Sequence, residues 1–226
     1  MNPKRVVIAG AGGVLGIALA REFAEAGYTV VGLRRHEAKV DPAIRTVRCD
    51  LRDPVTTHEV VARLVEEFAG IDVLICNAAH LSVAPFADLR EEDFETAWRV
   101  GVGSAIGAVR AAVPSMLSQR RGAILFTGAT GSLRGSARFA AFAAAKFALR
   151  GLAQSLAREY QPLGVHVAHV VIDGVLRDSP SVTRFGKDVE RTIDPQHAAQ
   201  TYRWLAEQAP SAWTHEVDLR SQAERF

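Results

Sequence analysis

Four glycines stand at positions 10, 12, 13 and 16, across the junction of the apolar run RVVIA and the amphipathic stretch LGIALAREFAEAG. Glycine at such a turn lets backbone N–H groups approach a pyrophosphate, and a helix beginning there adds favourable charge. The next apolar run closes on Leu33-Arg34-Arg35, two guanidiniums where a ribose 2′-phosphate could be gripped in a bidentate geometry. A third feature is FAAFAAAK, Phe139 to Lys146, a single cation closing a run with no hydroxyl, acid or amide. Such a lysine either snorkels to water or holds something. Other groups able to move or receive protons are His80 with Ser82, Asp173 with Asp178, and Thr127 with Thr130. His166 and His169 are three apart within a β-like run, so their side chains leave on opposite faces and we expect no metal site.

The elements that must carry these residues follow from periodicity. Short β-branched runs (RVVIAG, YTVVGLR, IRTVRC, IDVLIC, AILFTG, VHVAHVVI) alternate with amphipathic stretches (LGIALAREFAEAG, THEVVARLVEEFAG, Asp93 to Leu117, Ala137 to Tyr160, DPQHAAQTYRWLAEQ). This alternation predicts an α/β fold: a Rossmann-like, doubly wound parallel sheet flanked by helices on both faces, with ligands at the carboxyl ends of the strands. At 226 residues, 48% hydrophobic and 23% charged, residues 1–226 read as one domain. A net charge of +2 with interspersed signs gives no electrostatic case for a nucleic-acid or membrane-surface partner. Val6 to Ala20 is apolar, but its glycines and its length below the ~20 residues of a span argue against a leader or membrane segment. Cys49 and Cys76 lack ligand spacing and read as buried thiols, which fits a cytoplasmic protein.

Together with Cys49-Asp50-Leu51 and Cys76-Asn77-Ala78-Ala79, these segments resemble the short-chain dehydrogenase/reductase superfamily in order and spacing over nearly the whole chain. The resemblance implies cofactor contacts from Gly10, Gly12, Gly13, Leu15 and Gly16. It puts Asp50 and Leu51 around the adenine and Asn77, Ala78 and Ala79 beside the adenosine ribose. Lys146 falls on the nicotinamide ribose, and Gly174 and Val175 beside the nicotinamide. Arg34 and Arg35 stand where an NAD-binding member carries an acid, so NADP(H) is expected in preference to NAD(H). The glycine spacing, GxxGxxG, is that of the extended subgroup, without the extra length of its substrate domain.

The family's catalytic set of asparagine, serine, tyrosine and lysine falls on Gly101, Ala129, Phe142 and Lys146, so only the lysine remains. Phenylalanine can neither give nor take a proton, and Lys146 is then better read as a cofactor ligand, with His80 a candidate substitute acid. The proline and threonine that follow the sixth strand in the family are Asp173 and Asp178 here, and the segment RDSPSVTRFGKD is short and polar, suggesting a small or open pocket. Three readings follow: an NADP(H)-dependent oxidoreductase using an activated acceptor or a substitute donor; a catalytically inactive NADP(H)-binding sensor or subunit; and non-redox chemistry in the emptied pocket. Ordinary ketone and alcohol chemistry is not expected, and the substrate is an unidentified small molecule. By resemblance we expect a homodimer or homotetramer, paired through the helices near Asp93 and Ala137, with Gly103 and Gly107 allowing close approach or packing within the subunit.

Overall fold

The computed structural model describes residues 3–35 and 44–223. In chain order the main elements are β1 (Arg5–Ala9), α1 (Val14–Glu25), β2 (Thr29–Arg34), β3 (Arg45–Arg48), α2 (Pro54–Phe68), β4 (Val73–Cys76) and α3 (Glu91–Trp98). There follow a π-helical segment, Arg99–Gly103, then α4 (Ser104–Gln119), β5 (Gly122–Ala129), α5 (Ala140–Tyr160) and β6 (Val165–Ile172). The chain finishes with β7 (Val175–Leu176), α6 (Pro180–Phe185), β8 (Thr192–Ile193), α7 (Pro195–Glu207) and β9 (Glu216–Leu219).

Seven parallel strands form one sheet in the order β3-β2-β1-β4-β5-β6-β9. Order reverses between β1 and β4, which opens a crevice at the carboxyl ends of the strands. The β-branched runs of the sequence become strands buried on both sides; β4 and β6 are buried at every position. One face packs against α2, α4 and α5 and the other against α1 and α7, so the doubly wound arrangement expected from the sequence is the one observed.

Local chemistry sets the helix starts. Asp53 accepts from the Val55 N–H ahead of Pro54, and Asp194 accepts from the Gln196 and His197 N–H groups ahead of Pro195. The stretch near Asp93 is one helical run interrupted at Arg99–Gly103, where the backbone widens into a π turn. That run, Glu91–Gln119, is long and apolar enough by composition for a membrane span, but two-thirds of its most apolar window (67%) is buried within the protein.

Of the two roles open to Gly103 and Gly107, the contacts within the subunit are the ones observed. Gly103 and Gly107 do not face outward for a second subunit: a Cβ at Gly103 would lie 2.8 Å from Pro54 Cγ, and one at Gly107 2.3 Å from the Pro54 carbonyl oxygen. Both are small because the end of the π segment and the first turn of α4 cross the start of α2 there, which is packing within the subunit.

Candidate active site

A cleft of about 1110 Å³ runs along the carboxyl ends of β1, β2, β4, β5 and β6. Every position singled out for the cofactor lines it, as do His80, Ala129, Phe142 and Lys146. The cleft is large and open, and Phe185 of α6 forms part of its wall, so the polar segment after β7 does not shrink it.

At the β1 end the glycines divide the work. Gly10 sits at φ +104°, and a Cβ there would meet Ala78 N at 2.6 Å; one at Gly16 would meet the Gly10 carbonyl at 2.4 Å. These two let backbone pack on backbone. Gly12 and Gly13 face open space, with only Arg34 Cβ, at 4.0 Å, near a Cβ on Gly12. Gly13 N-caps α1, which has no side-chain cap and no acid in its first turn, so its leading N–H groups are available to an anion. The turn is pinned from two sides: Gly10 and Ala11 N–H donate to Leu33 O at 3.1 Å each, and Asn77 Nδ2 donates to Gly10 O at 2.8 Å.

Beside this turn, Arg34 has its Nη1 buried without a hydrogen-bond partner among the described residues, while Arg35 is exposed. A buried guanidinium N–H left unpaired is costly, and Arg34 lines the same cleft as Gly12, where a bound anion would be within the arginine's neighbourhood. Asp50 is held by Arg52, Nε to Oδ1 at 3.0 Å and Nη2 to Oδ2 at 2.6 Å, and these bonds lower its pKa to about 2. Its charge is therefore already answered.

The β5 end is different. Lys146 is 4% exposed and donates from Nζ to the Thr127 carbonyl at 2.7 Å, and burial lowers its pKa to about 8. Its ammonium lies 5.7 Å from the centroid of Phe142, whose ring edge packs on Gly131. The lysine thus neither snorkels nor stands alone. Beneath it, on the same side of the sheet, Arg150, one turn along α5, grips Glu216 at 2.7 and 2.6 Å, and Glu216 accepts from His169 Nδ1 at 2.9 Å. His169 is fully buried with Nε2 unpartnered, and burial, with Lys146 and Arg150 adding repulsion against the opposing pull of Glu216, lowers its pKa to about 4. Gly128 is glycine because His169 occupies the place of its side chain: a Cβ would lie 2.3 Å from Nε2. His166 leaves the opposite face, bonded to the Leu205 and Thr214 carbonyls and stacked on Trp213, as strand pleating requires.

The other proton-transfer candidates sort themselves. Thr127 turns its hydroxyl away to Tyr202 Oη at 2.8 Å, and Thr130 donates to Asp173. Asp173 also meets Arg134 at 3.6 Å and Arg220 at 3.4 Å. His80 lines the cleft half-buried; Ser82 and Asp178 do not line it. None of the chain's tyrosines reaches it either. Gly101 is buried in the π segment against Ala145 and does not line the cleft; Thr96 and Val100 do, because the widened turn shifts which residues face the site. Thr96, Val100, Arg134 and Phe185 were missed from the sequence. Only their neighbourhood to motif residues could have suggested them.

A family model described as short chain dehydrogenase matches residues 4–184. A solved short-chain dehydrogenase from Rhodopseudomonas palustris is 33% identical, with a TM-score of 0.81 over 96% of this chain and 98% of that one. A short-chain dehydrogenase/reductase from Armillaria gallica is 29% identical over 174 residues, 71% of this chain and 67% of the relative. An alcohol dehydrogenase from Thermococcus sibiricus, solved with 5-hydroxy-NADP, is 22% identical with a TM-score of 0.88 over 100% of this chain and 99% of that one, a likeness of fold.

Proposed function

The chain belongs to the short chain dehydrogenase family, an oxidoreductase family, and on that premise we propose that it uses NADP(H) in preference to NAD(H) and acts on an acceptor needing no tyrosine proton. The observation that carries this reading is the contrast at the two ends of the cleft: a buried, unpartnered Arg34 Nη1 beside open glycines, and an apolar wall around Lys146.

The residues present fit the cofactor. Gly12, Gly13 and the uncapped α1 terminus suit its pyrophosphate, Arg34 and Arg35 its 2′-phosphate, Asn77 to Ala79 the adenosine ribose, and Lys146 the nicotinamide ribose. When bound, the nicotinamide supplies or accepts the hydride. The chain's own contribution is then the handling of charge on the acceptor. Phe142 and Ala129 give no hydrogen bond to a developing oxyanion, and the hydroxyls of Thr127 and Thr130 are engaged elsewhere. Lys146 is the cation beside Phe142, and a pKa near 8 lets it either hold charge or release a proton from Nζ close to neutrality. His80 is the second candidate donor, by position at the β4 end of the cleft. An acceptor whose carbon is already electrophilic, such as an iminium or a quinone-like system, needs least from such a site.

A turnover assay tests this: NADPH oxidation is expected with quinone and iminium acceptors and not with simple ketones. Micromolar NADPH binding without turnover of any acceptor would favour a nucleotide-responsive, non-catalytic role, the reading favoured by the absence of every tyrosine from the cleft.

A further inference from the structure

Beyond Leu81 and Phe185, which it shares with the main cleft, lies a second hollow of about 360 Å³ whose other walls are Val83, Arg138 and Arg184. From its lining we propose that this hollow receives the anionic head group, a carboxylate or phosphoryl, of an acceptor whose aromatic or aliphatic body lies against Phe139, Phe142 and Phe185. The inference rests on the reading of the main cleft as a nucleotide and acceptor site.

Three independent observations support it. The first is charge. Around the acceptor end the lining cations include Arg134 and Lys146, joined in the second hollow by Arg138 and Arg184. The one acid there, Asp173, is already met by Thr130, Arg134 and Arg220. Among the described residues Arg138 and Arg184 have no carboxylate within ion-pair distance, so an incoming anion displaces no existing partner. Two guanidinium forks on an otherwise apolar wall suit a planar carboxylate or a phosphoryl group.

The second is backbone strain. Arg138 is at φ +73°, in the region that non-glycine residues avoid. Among the described residues three other non-glycine residues have positive φ: Ala69 and Arg120 end helices α2 and α4, where left-handed caps are ordinary, and Asp178 lies in the turn between β7 and α6. Arg138 ends no helix. Its carbonyl accepts from Ala84 N–H at 3.0 Å, which fixes the arginine against the loop bearing Leu81 and Val83. A side chain held at conformational cost beside a cleft is the arrangement seen where position serves a ligand.

The third is the apolar path between the two spaces. The rings of Phe139 and Phe185 have centroids 5.8 Å apart and tilt by 37°; both line the main cleft with Lys146, and Phe185 also lines the hollow with the two arginines. A flat or extended apolar body fits along it with its reacting carbon toward Lys146 and its anion toward Arg138 and Arg184.

The test titrates NADPH-loaded protein calorimetrically with 2-naphthoate, 2-naphthyl phosphate and the uncharged 2-naphthamide. At least one anion is expected to bind roughly tenfold or more tightly than the amide at low salt, with the advantage shrinking as salt is raised. Which anion leads distinguishes a carboxylate from a phosphoryl substrate. Arg184→Gln and Arg138→Gly should each reduce the advantage and leave NADPH affinity unchanged; Arg138→Gly should in addition raise the melting temperature by relieving the backbone. Equal binding of anions and amide, binding of none, or an advantage that survives both substitutions would overturn the proposal. If NADPH itself fails to bind, the nucleotide reading falls, and the same titrations on the free protein decide the anion site separately.

Discussion

The two ends of the cleft are built on different principles. At the β1 end the chain removes side chains: Gly10 and Gly16 let backbone approach backbone, and Gly12 and Gly13 leave space. What remains is a concavity of N–H groups with one buried guanidinium at its edge, a site specified by main chain and suited to phosphate. At the β5 end the chain adds side chains: Phe142 walls the cleft, and Lys146 sits above a network of buried His169 with half-buried Glu216 and Arg150. The first end can bind with nothing else in place. The second depends on how its charges are set, so on the proposed reading a phenylalanine at position 142 bears on the chemistry there and not on the nucleotide contacts at the β1 end.

Substitutions can break or sharpen that contrast. The largest effect is expected from Gly10→Val, which combines a positive φ with a Cβ 2.6 Å from Ala78 N; nucleotide binding should be abolished and the protein destabilised by about 3 kcal/mol or more, read by calorimetry and thermal melting.

Next comes acid. Below pH 6.5 the unfolded chain protonates His169 while the folded chain resists until about pH 4, so this group's stabilising contribution, full above 6.5, is lost as pH falls through that window. The loss is about 3 kcal/mol, seen as a falling denaturation midpoint, and His169→Gln should flatten the dependence.

Phe142→Tyr should install the missing proton donor beside Lys146 and raise NADPH-dependent reduction of an unactivated ketone by about 10²-fold. If the rate stays at background, the β5 end is not where the acceptor reacts. The smallest effect is Arg34→Gln, expected to weaken NADPH by roughly 10-fold to 100-fold and leave NADH unchanged.

Much of this was legible in the sequence. Strand-helix alternation and the glycine turn depend on local pattern, and Gly10, Gly12, Gly13, Gly16, Asn77 and Lys146 all reach the cleft that they imply. What was not legible depends on contacts between distant elements. Gly103 and Gly107 look like an assembly face until Pro54 is seen against them. Gly101 looks like a site position until the π turn brings Thr96 and Val100 to the cleft instead. His169 is one member of a reasonable strand until β9 lays Glu216 beside it and α5 brings Arg150. Sequence spacing reports which residues share a segment's face; it does not report what the next segment presents to that face.

The most direct test of the account is a calorimetric titration of the purified protein with NADPH and NADH in parallel. The account predicts NADPH binding in the micromolar range, with NADH weaker by roughly tenfold or more. Equal affinity would contradict the role given to Arg34 and Arg35, and no binding of either nucleotide would contradict the dinucleotide reading of the glycine turn.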